Sequence, residues 1–321
     1  MYKAKITAVG HYIPEKVIDN DYLAKKFNKV SELITQKTGI KERRYFQNGN
    51  TSDMAIFAIQ NLLEKYHINK EEIDCLILAT STPDFFFPST ASFIISKMKL
   101  NNCWGFDISS ACTGFMYALH LGKNLIENNS AKKILICGAD KLSTVLSDND
   151  YRTSFLFGDG AGVVLLENTI SNEENIIINT ECSLVGDATM QVYLKSGLNS
   201  SDRLIDSIYM EKGAVYQSGV NLMSSYLRNY LYKNKLADNF DYFIPHQANL
   251  VMLKEVVNNC DININNVLLN VSMIGNTGAA SIPICISQFA DIGTFKTPKK
   301  TILMGFGAGY SISIGHIIIQ L

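Results

Sequence analysis

Three side chains of this sequence have types and settings that could support nucleophilic thiol chemistry. Cys112 stands in Ser109-Ser110-Ala111-Cys112-Thr113-Gly114, between a strand-like run ending at Ile108 and a helical stretch from about Thr113 to Glu127. The unsatisfied N–H groups and the positive dipole end of a helix N-terminus lower a thiol pKa, so the position favours a nucleophilic thiolate. Small residues on both sides let a substrate approach closely. A buried thiol at a tight turn fits the same pattern, and the local context leaves both readings open.

His246 lies in Phe243-Ile244-Pro245-His246-Gln247-Ala248-Asn249, where a buried strand opens onto a polar loop. Open α/β sheets place ligand-binding residues at such strand ends. A structural histidine fits as well. Asn276, in Gly275-Asn276-Thr277-Gly278-Ala279-Ala280, is either a turn residue that caps a helix or an amide donor for an anionic intermediate. His11, His67, His120 and His316 have weaker settings, in loops, inside the Cys112 helix or in the last strand. Phe157-Gly158-Asp159-Gly160-Ala161-Gly162 and Gly305-Phe306-Gly307-Ala308-Gly309 both lead into strands, whereas a dinucleotide fingerprint follows a strand and opens a helix. Neither a phosphate-binding P-loop motif nor G-x-S-x-G occurs. Hydride transfer, phosphoryl transfer and serine hydrolysis therefore drop out.

The elements that position these residues alternate. Ile73–Thr80, Trp104–Ile108, Lys133–Gly138 and Ala161–Leu166 read as strands, and Phe115, Met116, Leu119, Leu125 and Ile126 recur at helical spacing, giving an α/β sheet. The second half repeats the first. Asp74 and Asp241, in similar apolar runs, are 167 residues apart, as are Lys133 and Lys300; Gly114 and Gly278 are 164 apart. Three matches in one order with nearly equal offsets indicate two α/β halves, 1–170 and 171–321, related by a pseudo-twofold axis. Cys112 and Asn276 then occupy matching turns, each just before a Thr-Gly. The most polar connection, Ser171-Asn172-Glu173-Glu174-Asn175, falls between the halves.

Composition bounds the rest. The 321 residues are 47% hydrophobic and 18% charged, and 29 Lys+Arg against 30 Asp+Glu leave a net charge of −1. That balance, without a long basic run, argues against nucleic acid and against a polybasic membrane anchor. No apolar stretch approaches the roughly 18 residues of a membrane span, and the N-terminal ten residues alternate like a strand rather than a signal peptide. Seven scattered cysteines lack zinc-site spacing and fit free thiols in a reducing compartment. A cytoplasmic location is expected.

Taken together, these motifs resemble the thiolase-fold condensing enzymes, and most closely the β-ketoacyl-acyl carrier protein synthase III family. The resemblance runs from Gly10-His11-Tyr12-Ile13-Pro14 through Lys37-Thr38-Gly39-Ile40-Lys41-Glu42-Arg43 and Phe87-Pro88-Ser89-Thr90-Ala91. It continues through the Cys112 turn, the Phe157–Gly162 stretch, Pro245–Asn249, Asn276–Ser281 and the last Gly-rich turn. It implies a five-layer αβαβα fold from two duplicated halves, a homodimer, and a catalytic triad of Cys112, His246 and Asn276. By the same resemblance, backbone N–H groups of Cys112 and Ala308 form the oxyanion hole. Lys37, Arg152 and Asn249 bind coenzyme A or phosphopantetheine, and Phe87 reaches into the neighbouring subunit, where Phe85-Phe86-Phe87 either line the acyl pocket or fill a dimer core. The implied partners are acyl-CoA or acyl carrier protein thioesters and a malonyl thioester, with no metal or redox cofactor.

The sequence also departs from that family. Leu33 replaces the usual Trp that stacks on adenine, and Lys37 replaces an Arg, keeping the charge without the guanidinium plane. Val251, Asn258-Asn259 and Gln217 stand where basic residues usually dock the carrier protein, and Ala308 stands for a Gly whose φ/ψ it would have to adjust. The leading expectation is decarboxylative Claisen condensation through an acyl-Cys. The alternative passes the acyl group to a non-malonyl acceptor. A silent partner subunit is disfavoured by the intact triad, and a papain-type hydrolase by the duplication.

Overall fold

A computed structural model describes residues 2–170, 176–187, 189–196, 207–211, 213–237 and 239–321; the 171–175 connection lies outside the described residues. The first sheet comprises β1 (Lys3–Tyr12), β2 (Cys75–Ala79), β3 (Trp104–Ile108), β4 (Lys133–Lys141) and β5 (Asp159–Thr169), in the order β1-β5-β4-β2-β3. The second comprises β6 (Ile177–Leu184), β7 (Tyr242–Pro245), β8 (Lys299–Gly307) and β9 (Ser311–Ile319), in the order β7-β8-β9-β6. The apolar run Cys75-Leu76-Ile77-Leu78-Ala79 is buried at every position, as a central strand covered on both faces requires.

The repeat seen in the sequence is a repeat of strand register. Ile77 pairs with Ile136 across the parallel β2–β4 ladder, and 167 residues later Ile244 pairs with Leu303 across β7–β8. In both halves an antiparallel hairpin partner follows, β5 beside β4 and β9 beside β8. The halves differ at one edge. Where the first sheet has β3, the second has only a bridge between Val267 and Phe243, and the chain turns at once into the short helix Val271–Ile274. Asn270, upstream of the Asn276 turn as Asp107 is upstream of Cys112, therefore occupies the N-cap position of a helix rather than ending a strand.

Helices make the other three layers. In the middle, α4 (Gly114–Glu127) and α8 (Ser281–Asp291) lie between the sheets. Phe115, Met116 and Leu119 pack with Ile77 and Ile136, while Ile282, Cys285 and Ile286 join the same core with Ile244 and Leu303. Each fully buried side chain of this size stabilises by about 1.5–3 kcal/mol against exposure. One outer layer is α2 (Thr51–Lys65), started by a capping box between Asn50 and Asp53, with α3 (Thr90–Met98). The other is α6 (Ala214–Lys233) with α7 (Leu250–Asn259). Two shorter helices, α1 (Ser31–Thr38) and α5 (Tyr151–Ser154), stand nearer the site. Both middle helices start with a 3-10 turn, Ala111–Thr113 before α4 and Gly278–Ala280 before α8. The first turn holds Cys112, and the second begins two residues after Asn276.

Candidate active site

Cys112 enters its turn through Ala111, whose φ of 44° is a left-handed value uncommon for a residue with a Cβ. The turn is fixed by Thr113, whose hydroxyl oxygen lies 2.7 Å from the Ser110 carbonyl and 2.8 Å from Ser311 Oγ. Ser311 belongs to the second half, just past the Gly-rich turn. Gly307 of that turn lies over the start of α4, and a Cβ there would stand 3.1 Å from the nitrogens of both Cys112 and Thr113.

His246 follows the last residue of β7, and its own N–H donates to Met304 O at 2.7 Å, extending the parallel ladder by one bond. Its ring is buried, with Nδ1 2.7 Å from Ser281 Oγ. Gln247, also buried, locks the loop: its Nε2 donates to Pro245 O, and its Oε1 accepts from Asn270 N–H at 3.0 Å.

Asn276 is held by its backbone, donating to Leu156 O at 2.8 Å and accepting from Gly158 N–H at 2.9 Å. Its side-chain Oδ1 accepts the Gly278 N–H at 2.9 Å, which leaves the amide NH2 as the free end. Behind it, Arg43 is wholly buried and donates to Ile18 O, Asn20 Oδ1 and Phe155 O.

Cys112, His246 and Asn276 open on one cavity of about 470 Å³. Leu156, Phe157, Val215, Met252 and Phe306 make its walls largely apolar, and Lys37, Arg152, Asn249 and Ala308 also line it. Arg152 is held by Asp150 through two nitrogens, at 2.7 and 3.0 Å, which fixes its guanidinium plane. Asn249 spends its Oδ1 capping α7 at Val251 and Met252, and its Nδ2 donates to Lys37 O, so it joins α1 to α7 at the mouth. Leu33, one turn before Lys37 on α1, is partly exposed. Among the described residues no cluster of His, Cys, Asp and Glu could hold a metal ion, and no helix is long and apolar enough to cross a membrane.

Two sequence expectations change here. The Cys112 thiol is not acidified: burial pushes its pKa up to about 12, with the Asp140 carboxylate adding to the rise and a backbone N–H opposing it. Desolvation outweighs the helix start. Burial also lowers His246 to about 3, so the imidazole is neutral. Ala308 needs no backbone adjustment, since the left-handed residues of its turn are Gly309 and Tyr310, at φ 75° and 54°. Phe87 does not reach the cavity within its own chain and is 87% exposed.

Residues 106–186 match the family 3-oxoacyl-[acyl-carrier-protein (ACP)] synthase III, and residues 233–319 match the C-terminal part of that family. A β-ketoacyl-[acyl-carrier-protein] synthase III of Campylobacter jejuni is 38% identical, over 97% of this chain and 96% of its own length. One from Chlorobaculum tepidum is 36% identical, over 96% and 97%. The chain belongs to the β-ketoacyl-[acyl-carrier-protein] synthase III family. The crystal structure of 3-oxoacyl-(acyl carrier protein) synthase III from Pseudomonas aeruginosa superposes with a TM-score of 0.92 at 30% identity, covering 99% of both chains. The fold is thus the thiolase-type αβαβα arrangement of two duplicated halves. As a synthase III the protein is a condensing enzyme of the acyltransferase class, joining an acyl primer to a malonyl thioester in fatty-acid biosynthesis.

Reading the sequence alone missed Ser281, Arg43 and Asp140. Ser281 and Arg43 stood inside quoted motifs, but nothing in their spacing shows a hydroxyl against an imidazole or a guanidinium buried behind a turn. Asp140, three hydrogen bonds notwithstanding, looks like an ordinary polar residue near a strand end.

Proposed function

We propose that Cys112 carries the primer acyl group and that His246 and Asn276 stabilise the enolate formed from the malonyl thioester. The supporting observation is that three residues from separate elements, with the Asn276 NH2 freed by its Oδ1 contact, line one apolar cavity. The neutral thiol gives its proton, through His246 Nε2, to the departing thiolate of the donor as sulfur attacks the thioester carbonyl. The tetrahedral oxyanion is held by the N–H groups of Cys112 and Ala308.

In the second half-reaction the malonyl C–C bond breaks, CO2 leaves, and the electron pair passes to the thioester oxygen. His246 Nε2–H and the Asn276 amide donate to that oxygen. The enolate carbon attacks the acyl-Cys, the C–S bond breaks, and the Cys112 thiolate takes a proton from solvent. A neutral His246 suits this step, because an imidazolium would stabilise the carboxylate that must be lost. Ser281 serves both half-reactions, since its hydroxyl can donate to Nδ1 or accept from it.

Lys37, Arg152 and Asn249 at the mouth are assigned to the phosphopantetheine end of acyl-CoA or acyl carrier protein donors. The division at 170/171 into two halves, the cytoplasm and a homodimer belong to the same reading, with Phe87 supplied to the partner's acyl pocket. The exposed Phe85, Phe86 and Phe87, just before the α3 start that is hydrogen-bonded to Asp107 of the edge strand β3, support the dimer. Intact-protein mass spectrometry with acyl-CoAs of increasing length, followed by a malonyl thioester, tests the reading. An acyl adduct absent from Cys112→Ala and discharged as CO2 and 3-oxoacyl product is expected. An adduct that malonyl thioesters leave in place would instead identify transfer to another acceptor.

A further inference from the structure

Asp140, at the end of β4, is completely buried and makes no ion pair among the described residues. Its partners are neutral donors. Oδ1 accepts the Ser81 N–H at 2.6 Å and the Thr80 hydroxyl at 3.3 Å, while Oδ2 accepts the Ala279 N–H at 2.8 Å. Burying a carboxylate with no cation is expensive, and burial lifts its pKa to about 6. What offsets the cost is donation from two backbone N–H groups, that of Ser81 and that of Ala279 in the 3-10 turn before α8.

The placement matters because of the adjacent donor. Gly278 N–H holds the Asn276 amide, and the very next N–H, of Ala279, is held by Asp140. The carboxylate also lies where a Cβ on Gly278 would be, and Gly278 has a φ of 59°, so chain and side chain fill the turn together. Without Asp140, the Ala279 N–H is orphaned in a dry interior and the turn can rotate to find another acceptor, Asn276 Oδ1 included.

The duplication shows what this carboxylate replaces. Gly307 lies 167 residues after Asp140, the spacing that relates β4 to β8, and it faces the start of α4 with no side chain. One helix start is closed by an internal carboxylate, and its counterpart is left open beside the Cys112 N–H.

We propose that Asp140 is a positioning residue for the condensation half-reaction, its carboxylate holding the turn that aims the Asn276 amide. The proposal rests on the assignment of Asn276 to enolate stabilisation. A purely structural anchor would weaken both half-reactions together; a residue acting through Asn276 affects one.

The test separates the steps in Asp140→Asn, which keeps the shape but sets an NH2 or an uncharged oxygen against the Ala279 N–H. Cys112 acylation by acyl-CoA is read by mass, and CO2 release from malonyl thioester is read on the pre-acylated enzyme. Acylation is expected at the wild-type rate or above, since a negative charge near the thiol is gone. Decarboxylation is expected to fall about 10- to 100-fold, short of or equal to the loss of a whole oxyanion donor. In an Asn276→Ala background the same change is expected to cost nothing further. Equal losses in both steps, unchanged decarboxylation, or an undiminished effect in the Asn276→Ala background would overturn the proposal. Should Asp140→Asn not fold, Gly278→Ala, which pushes a methyl against the carboxylate, is read the same way, and retained decarboxylation there overturns it too. Wild type that acylates but releases no CO2 would overturn the functional reading and this inference with it, an outcome distinct from failure of the variant alone.

Discussion

Ser281 Oγ meets His246 Nδ1 at 2.7 Å while also accepting the Gln247 N–H at 3.3 Å. With one lone pair taken by Gln247, the hydroxyl hydrogen is free to turn toward Nδ1, which leaves the ring proton on Nε2, the nitrogen proposed to donate to the enolate. Ser281→Ala removes that control and strands Nδ1 in a buried setting. Decarboxylation is expected to fall by about tenfold, less than the 10²–10⁴ of losing a positioned acid–base group itself, while Ser281→Thr retains most of it. Single-turnover CO2 release from the acyl-enzyme measures this. Equal rates for Ala and Ser would refute the role.

The thiol predicts a distinctive pH response. Because burial holds Cys112 protonated, with its pKa up to about 12, its thiolate fraction grows roughly tenfold per pH unit from neutrality through pH 10. The pseudo-first-order rate of iodoacetamide alkylation is expected to climb without a plateau across that range. A plateau near pH 7 would mean the helix start prevails over desolvation.

Stability responds to pH through the same buried groups. His246 is lowered to about 3, so below the ordinary histidine value the unfolded chain binds a proton that the fold does not, and stability is lost as pH falls from about 6.5 toward 3. Asp140 has its pKa raised to about 6, and its contribution is present at low pH and lost as pH rises through 6, opposing His246 in that window. Asp140→Asn is therefore expected to steepen the loss of stability between pH 6 and 4, read by urea midpoints at several pH values. A slope that does not change would show that the two groups are not coupled to folding as stated.

Much of this was legible in the sequence, for physical reasons. The 167-residue repeat could be read because paired strands must keep their hydrophobic register, and Ile77–Ile136 and Ile244–Leu303 do. Cys112 and Asn276 could be matched because small residues and Thr-Gly mark a helix start in either half. The thiol's protonation could not be read, because desolvation depends on everything packed around the group. Nor could Arg43, whose three acceptors, Ile18 O, Asn20 Oδ1 and Phe155 O, come from two distant segments. Val267, reduced to a single bridge where the first half has β3, shows that sequence similarity of turns does not carry the flanking strand with it.

Arg43 ties the strand-like Glu42–Arg44 segment to the residues beneath Asn276. Arg43→Met would fill the volume but leave those acceptors unpaired. A destabilisation of about 3 kcal/mol or more is expected, since each buried acceptor left unpaired costs about 1–3 kcal/mol, measured by urea unfolding with the m-value unchanged. A loss below about 1 kcal/mol, the scale of one ordinary hydrogen bond, would show that the acceptors find other donors.

Phe87 is exposed in one chain, so its proposed place in a partner's acyl pocket makes a prediction about two chains at once. Phe87→Ala is expected to extend the range of accepted primers to longer acyl chains, with the oligomeric state unchanged from wild type by light scattering. An unchanged chain-length profile would separate Phe87 from the acyl pocket and leave it with packing alone.

Gly307 and Ala308 divide the demands of the last turn between them. Ala308 carries a methyl without strain because the left-handed positions fall on Gly309 and Tyr310. Gly307 has no such freedom, although its own φ of −149° is one any residue can adopt. The restriction is steric: a Cβ would stand 3.1 Å from the nitrogens of Cys112 and Thr113, and 3.1 Å from Ser311 Oγ, in the space before the N–H that would hold an oxyanion. Gly307→Ala is therefore expected to lower the acylation and condensation rates together, by about 10²–10³, the scale of losing one oxyanion donor. Some thermal stability is expected to be lost as well, because the methyl crowds two backbone nitrogens even though no unfavourable φ is imposed. Ala308→Gly, by contrast, is expected to leave both rates within a few-fold of wild type. Measured by single-turnover acylation, the opposite ranking would move the oxyanion site away from the Cys112 N–H.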